Sequence, residues 1–451
     1  MRFSELNLQK NIKNDKIRLD LGENSPKSNL EKKMIIKRPK YLDKLISHKH
    51  NKRIKIITGM RRCGKSFLLF ELFKEYLKND GTSENNIIEI QFDDIKNKKL
   101  RNAEKCYEYI TSRINNSENI YYILLDEIQM LDDFVDVLNG LLHIKNIDIY
   151  VTGSNSKFLS SDIATEFRGR GDEIQIHPLS FSEFYNSQSL EWEEAWENYY
   201  TFGGLPYILE LNNDEDKIVY LQNLFKETYL QDIIERNKIK NTQELESLVD
   251  ILASSVGSLT NPQKLSNTFQ SSLKTRISAP ALKKYCDYLQ EAFLIKEAKR
   301  YNIKGKKYIN TPIKYYFEDI GLRNARLNFR QQEENHIIEN IIFNELRYRG
   351  FVVDVGVIEI KEKNAEMKYE KKQIEIDFIA NQGSKRYYIQ SAFAMPTIEK
   401  KLQEERPLKK VNDSFKKIIV VKDNIKLKRD DYGIITIGLK EFLLNNNSLD
   451  S

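Results

Sequence analysis

The sequence predicts an α/β fold whose first half is a parallel sheet with crossover helices, and three observations point to it. Across 53–176, short β-type runs alternate with helical stretches, the order that a parallel sheet requires. Several of those runs are apolar without interruption, as strands covered on both faces are. One run, ending at Thr58, leads through a glycine-bounded loop straight into a helix opening at Lys65.

In order, strands are expected at 54–58, 87–92, 121–125, 148–151 and 173–176, with helices at 65–78, 103–114 and 134–143. After Pro178 the character changes. Residues 180–260 are rich in Glu, Leu and aromatics at helical spacing, with one break at Gly203, Gly204 and Pro206. Residues 261–315 read as two short helices and a hairpin about Lys304, Gly305 and Lys306. The stretch 333–445 reads as a helix, several strands, a second helix and two more strands.

Composition narrows the class. A chain of 451 residues exceeds one ordinary core, so two to three domains are expected. No apolar run approaches the roughly 20 residues of a membrane helix, and no apolar leader follows Met1, so no membrane partner is expected. The three cysteines (Cys63, Cys106, Cys286) are too far apart for a disulfide framework, and the five histidines form no HxxxH or HExxH pair. A reducing, cytoplasmic setting without zinc is the expectation.

The chemistry begins at Gly59-Met60-Arg61-Arg62-Cys63-Gly64-Lys65-Ser66, which fits GxxxxGK[ST] in full between a strand and a helix. There the backbone N–H groups from Gly59 through Arg61, Arg62, Cys63 and Gly64 to Lys65, Ser66 and Phe67 can surround phosphate oxygens. Lys65 would reach the β- and γ-phosphates of ATP, and the Ser66 hydroxyl would bind Mg²⁺. Arg61 and Arg62 are expected to face solvent or a partner, and Cys63 to act as a small filler. Further on, Tyr121 to Leu125 closes on Asp126 and Glu127. Asp126 is expected to hold the hydrated Mg²⁺, and Glu127 to orient and polarise the attacking water. Asn155, after the next strand, is a candidate γ-phosphate sensor. Arg168 and Arg170 are candidates to offset transition-state charge, in their own subunit or in a neighbour within a homo-oligomer.

The motifs GMRRCGKS, LLDEIQ, TGSNSKFLS, FRGRG, PLSFSEFY and FGGLP follow one another in that order. Together they resemble the prokaryotic AAA-type ATPases, archaeal and bacterial, that carry a C-terminal domain of unknown function. The resemblance implies a P-loop NTPase of the AAA/ASCE type, an ATP hydrolase in which Glu127 is the base. It also implies that Gly204 and Pro206 match a GxP nucleotide-sensing motif, with a plain helix break as the alternative.

Residues 261–311 hold eleven Lys/Arg against three Asp/Glu, whereas the whole chain has a net charge of +6. Two helices followed by strand, basic turn and strand suggest a winged helix, with Lys283 and Lys284 on the second helix and Lys304, Lys306 and Lys307 on the wing. Such a cluster attracts phosphates, so DNA is a candidate partner, and a protein partner is the alternative. Beyond it, Glu339 on a helix, Glu375 and Asp377 on one face of a strand, and Gln390 on the next resemble a restriction-endonuclease fold of the PD-(D/E)xK type. In active members carboxylates hold divalent metal and a lysine assists attack. The E-x-K position here reads Gln390-Ser391-Ala392, so the lysine is missing unless Lys400 or Lys401 replaces it, and loss of cleavage is the simpler expectation.

The expected organisation is therefore a polar tail (1–34), an AAA-type ATPase core (35–180), a helical extension (181–260), a winged-helix-like domain (261–325) and a restriction-endonuclease-like α/β domain (326–451). The expected function is an ATP-driven switch or motor acting on DNA or a DNA-bound partner, in defence or mobile-element biology. An ATP-bound protein scaffold and an ATP-gated nuclease are the alternatives.

Overall fold

Five strands build the first sheet: β1 (Ile54–Thr58), β2 (Ile87–Gln91), β3 (Tyr121–Asp126), β4 (Ile147–Gly153) and β5 (Gly171–Gln175), within two residues of the expected bounds. The computed structural model describes residues 35–115, 118–154, 170–331, 333–363 and 369–450. The strand order is β2-β3-β4-β1-β5, and every pairing in it is parallel. All of β1 and all of β3 are buried, which explains their unbroken apolar runs. Alternate residues serve opposite faces: Ile57 joins one hydrophobic cluster, while Ile54 and Ile56 join the other.

One β1 residue breaks the apolar pattern. Lys55 is fully buried, and its ammonium pairs with Asp148 on β4 while donating to the Arg53 carbonyl oxygen at 3.0 Å. Asp148 also accepts from the His50 N–H and the Tyr150 hydroxyl, each at 3.0 Å, so the buried carboxylate has three donors.

The helix after β1 opens as Lys65–Phe67, passes through a π-helical stretch at Leu68–Phe73 and continues as Lys74–Asn79. Beyond β5 the chain is helical, starting with Phe181–Asn186, whose capping box pairs Ser180 with Glu183. Trp192–Phe202 then stops at Gly203, which has φ +78°, and Pro206 opens the short turn Pro206–Glu210. Among the described residues no helix is long and apolar enough to cross a membrane.

A second sheet of eight strands comprises β6 (Ile295–Asn302), β7 (Lys307–Phe317), β8 (Val352–Lys363), β9 (Tyr369–Gln382), β10 (Lys385–Ala392), β11 (Lys416–Val421), β12 (Lys428–Arg429) and β13 (Ile434–Gly438). Their order is β12-β13-β11-β10-β9-β8-β6-β7. The helix pair Pro262–Ser272 and Ala279–Glu291 precedes the β6–β7 hairpin, as a winged helix would have it. The hairpin does not stand alone, however. β6 pairs in parallel with β8, so the boundary drawn at 325 falls inside a single sheet. The physical reason is edge satisfaction: alone, β6 would expose a row of backbone donors and acceptors that β8 instead takes up. Within the hairpin the register of β6 against β7 shifts at a bulge between Ala298 and Arg300.

Removing one member of the buried pair leaves the other charge stranded. Lys55→Met is expected to lower stability by about 3–5 kcal/mol, measured by urea denaturation at neutral pH. A loss below about 1 kcal/mol would show that Asp148 is adequately satisfied by its other donors.

Candidate nucleotide site

The loop after β1 has a conformation that only its glycines permit. Gly59 has φ +143°, and a Cβ there would run into the Ile176 carbonyl oxygen beyond the end of β5. Gly64, at φ +97°, caps the helix that begins at Lys65, and Arg62 is left-handed at φ +64°. The loop is fastened from outside at several points. Arg38 donates to the Cys63 carbonyl at 3.0 Å and to that of His177 at 2.9 Å, while its guanidinium pairs with Glu183 at 3.1 Å. The Tyr229 hydroxyl donates to the Arg61 carbonyl at 2.7 Å, and Arg61 pairs with Asp232 at 2.6 Å. Arg61 thus pairs with its own helical extension while keeping 35% of its side chain exposed, and Arg62 is exposed as expected. Cys63 is fully buried, which pushes its thiol up and fits the filler role.

Lys65 is buried and its ammonium lies across the loop, 3.1 Å from the Gly59 carbonyl oxygen and 3.0 Å from that of Met60. Ser66 and Phe67 form the first turn behind it. Asp126 is buried at the end of β3, so burial raises its carboxyl; the hydroxyls of Thr152 and Ser66 hydrogen-bond it and partly offset that. Glu127 is left-handed at φ +48°; its N–H donates to Thr152 Oγ1 at 3.0 Å. Its carboxylate accepts from Ser154 Oγ at 3.2 Å and from the Gln129 amide. The strand expected to sense phosphate therefore reaches both acidic residues through Thr152 and Ser154, and Asn155 and Arg168 lie outside the described residues.

Arg170 stands elsewhere. Its carbonyl accepts from the Ile54 N–H at 2.9 Å, at the start of β1, whereas the loop follows the end of that strand. A five-residue strand spans roughly 16 Å, so Arg170 does not serve the site of its own subunit. That half of the expectation is corrected.

A family model described as an AAA domain matches residues 51–185, and a second, described as a domain of unknown function, matches 193–333. An uncharacterised protein of Haemophilus influenzae (strain Rd) is 36% identical over 393 residues, covering 86% of this chain and 94% of the relative. The chain belongs to the AAA-type P-loop ATPase family. An uncharacterised protein of Methanocaldococcus jannaschii is 29% identical over 413 residues, with 87% of this chain and 86% of that one covered. Among solved structures, the Aeropyrum pernix ORC1 protein in complex with DNA is similar over 65% of this chain and 93% of that chain, at 12% identity and a TM-score of 0.28.

In this AAA-type protein the Gly203-Gly204-Leu205-Pro206 segment links the phosphate loop to the second sheet. Pro206 Cγ lies 3.8 Å from where a Cβ on Gly64 would be. On the other side the Gly204 N–H donates to Asp319 Oδ2 at 2.8 Å, and Asp319 Oδ1 caps the helix Ile320–Arg326 through the Leu322 N–H at 3.0 Å. A side chain at Gly203 would run into that carboxylate. Next to it Glu318 bonds His177 Nδ1 at 3.2 Å and pairs with Arg347 at 2.6 Å. Burial would raise the Glu318 carboxyl, but Arg347 and His177 together draw it down to about 2.

The outer clusters are sorted differently from the expectation. Lys283 is engaged by Asp287 at 2.7 Å and Glu297 at 3.7 Å, whereas Lys284, Lys304, Lys306 and Lys307 are exposed. The spacing of Lys283 and Asp287 was a signal in the sequence for that pairing. Lys400 and Lys401 pair with Glu404 and Glu405 on their own helix, so neither supplies the missing lysine. Glu339, Glu375 and Asp377 do converge, around a lysine that sequence reasoning missed, Lys314 on β7, and Gln390 lies on the strand beside Asp377.

Asp319 gives the linker a pH signature. Burial raises its carboxyl from the ordinary 3.8 to about 6, despite the backbone donors that oppose it. Between those values the folded chain holds a proton that the unfolded chain releases, so this group's penalty is present above pH 6 and relieved as pH falls toward 4. Relative to Asp319→Asn, the wild type should gain about 2.5 kcal/mol between pH 7.5 and 4 in urea titrations, at about 1.36 kcal/mol per unit. Parallel profiles for the two proteins would contradict this.

Proposed function

We propose that the protein binds ATP with Mg²⁺, hydrolyses it, and uses the cycle as a switch or motor acting on DNA or a DNA-bound partner. The observation that carries the reading is the convergence of Lys65, Ser66, Asp126 and Glu127 at the C-terminal ends of β1 and β3, the parallel strands on either side of β4, beside a loop whose glycines leave room for phosphate. The residues fit the nucleotide. The Lys65 ammonium already rests on loop carbonyls within the cradle, and the Ser66 hydroxyl already reaches the Asp126 carboxylate.

Ser66 and, through water, Asp126 would hold Mg²⁺, which would supply charge neutralisation to the triphosphate. The loop N–H groups and the helix opening at Lys65 orient the triphosphate, and Lys65 adds a positive charge next to the transferring group. Glu127 positions and polarises the attacking water, with Ser154 and Gln129 fixing its carboxylate. Asn155 and Arg168 remain candidates for sensing and charge compensation, as does Arg170 toward a neighbouring subunit's site in a homo-oligomer.

The DNA part rests on the exposed Lys304, Lys306 and Lys307 at the tip of the β6–β7 hairpin, with the exposed Lys284 on the helix that precedes it. A scaffold that contacts proteins is the second reading. It is favoured by the loss of Lys283 to its own carboxylates, which leaves the second helix less basic than its sequence suggests.

Two measurements test the proposal. In a steady-state assay Glu127→Gln is expected to reduce ATP hydrolysis by about 100-fold or more while leaving ATP bound; equal, negligible rates in both proteins would favour the scaffold. In gel shifts across a salt series, removing Lys304, Lys306 and Lys307 together should flatten the log–log salt slope by about 2–3. Lys283→Ala should leave it unchanged. No retardation at low salt would remove DNA from the account.

A further inference from the structure

The second sheet curls until side chains three strands apart meet. β7 is its edge and β9 lies beyond β6 and β8, yet Lys314 of β7 touches both acidic residues of β9. The bulge in β8 between Asp354 and Gly356 allows the bend, and Gly356 is needed there because a Cβ would lie 2.9 Å from that of Ile376. Lys314 is 4% exposed. Its ammonium is 2.7 Å from Glu375 Oε1, 2.9 Å from Glu339 Oε1 and 3.8 Å from Asp377 Oδ1. The Tyr316 hydroxyl donates to Glu339 at 2.6 Å, and the Ser391 N–H donates to Asp377 Oδ2 at 2.8 Å. The antiparallel pairing of Ile389 with Phe378 puts Gln390 on the same face as Asp377, and its Oε1 is buried without a partner.

The restriction-endonuclease resemblance implies a divalent metal held by Glu339, Glu375 and Asp377. A hard cation of that kind needs carboxylate oxygens converging at about 2.0–2.6 Å on a point free of positive charge. Here that point is filled by an ammonium that already satisfies two of the three carboxylates. Among the described residues no group of three His, Cys, Asp or Glu side chains is spaced to hold a metal. The residues present do not fit the metal.

We infer that Lys314 is the resident cation of this cluster, standing where a restriction-endonuclease-type centre holds its divalent ion, so that the C-terminal sheet keeps the acidic constellation without the metal. The carboxylates serve as counter-ions that tie the edge hairpin, with its basic turn, to β9 and to the helix Glu334–Tyr348. The fate of the missing lysine follows: a lysine is present, but it neutralises the carboxylates instead of working beside a metal that they hold.

The test uses the full chain without nucleotide and Mn²⁺ as the probe, followed by the electron paramagnetic resonance of free Mn²⁺ and by thermal melting. Four proteins are compared: wild type, Asp377→Asn, Lys314→Met, and the double variant. Wild type and Asp377→Asn should bind Mn²⁺ identically and melt without response to it. Lys314→Met should melt earlier, gain one Mn²⁺ bound at least tenfold more tightly than anything in wild type, and recover melting temperature as Mn²⁺ is added; the double variant should lose that gain. Wild-type Mn²⁺ binding that Asp377→Asn removes would overturn the inference, as would a folded Lys314→Met that gains no site. Should Lys314→Met not fold, the comparison of wild type with Asp377→Asn decides alone.

Discussion

A phosphate-binding loop is a backbone held in a shape it would not adopt by itself, and here the holding is done by carbonyl oxygens and buried cations. The Ile176 carbonyl occupies the space a side chain at residue 59 would need, and Arg38 grips the loop at Cys63 while its other contacts reach His177 and Glu183. Tyr229 and Asp232 hold the Arg61 end. Each such contact removes freedom that would otherwise be lost when a ligand binds, so the N–H groups are already aimed. The parallel sheet behind them is rigid because it is buried on both faces and cross-linked internally by Lys55 and Asp148.

The same fastening links the loop to the rest of the molecule. Pro206 rests near Gly64, and its neighbour Gly204 is bonded to Asp319, which in turn caps the first helix after β7. Three consecutive structural units therefore share one short path of packed and hydrogen-bonded atoms. Gly203 and Gly204 are what make it short, since side chains there would collide with the Asp319 carboxylate and the Leu179 carbonyl. A displacement at the loop has a direct mechanical route to the second sheet, and the route contains a carboxyl that burial raises to about 6.

The parts legible in the sequence are those set by local pattern. Strands buried on both faces are written as apolar runs, and the Gly, Lys and Ser of the loop fall at fixed spacings, so β1 to β5 and the residues from Gly59 to Ser66 were all readable. What pairs across long separations was not. Arg38 lies 25 positions before its partner Cys63 and has no motif around it. Lys314 sits in a tyrosine-rich strand with nothing to connect it to Glu375 or Asp377 until the sheet curls. The parallel pairing of β6 with β8 left no trace in either strand, so a hairpin that belongs to a large sheet read as a separate wing. Thr152 and Ser154 were within reach, because the strand that carries them was already identified as the sensing strand; only the partners were unknown.

The account stands or falls on whether the loop grips a triphosphate, and calorimetric titration of ATP with Mg²⁺ into the purified chain measures that directly. It predicts one saturable site per chain in the wild type and its loss in Lys65→Ala, with the variant's melting curve in the absence of nucleotide unchanged. No heat of binding in the wild type, or an affinity that Lys65→Ala leaves as it was, would contradict it.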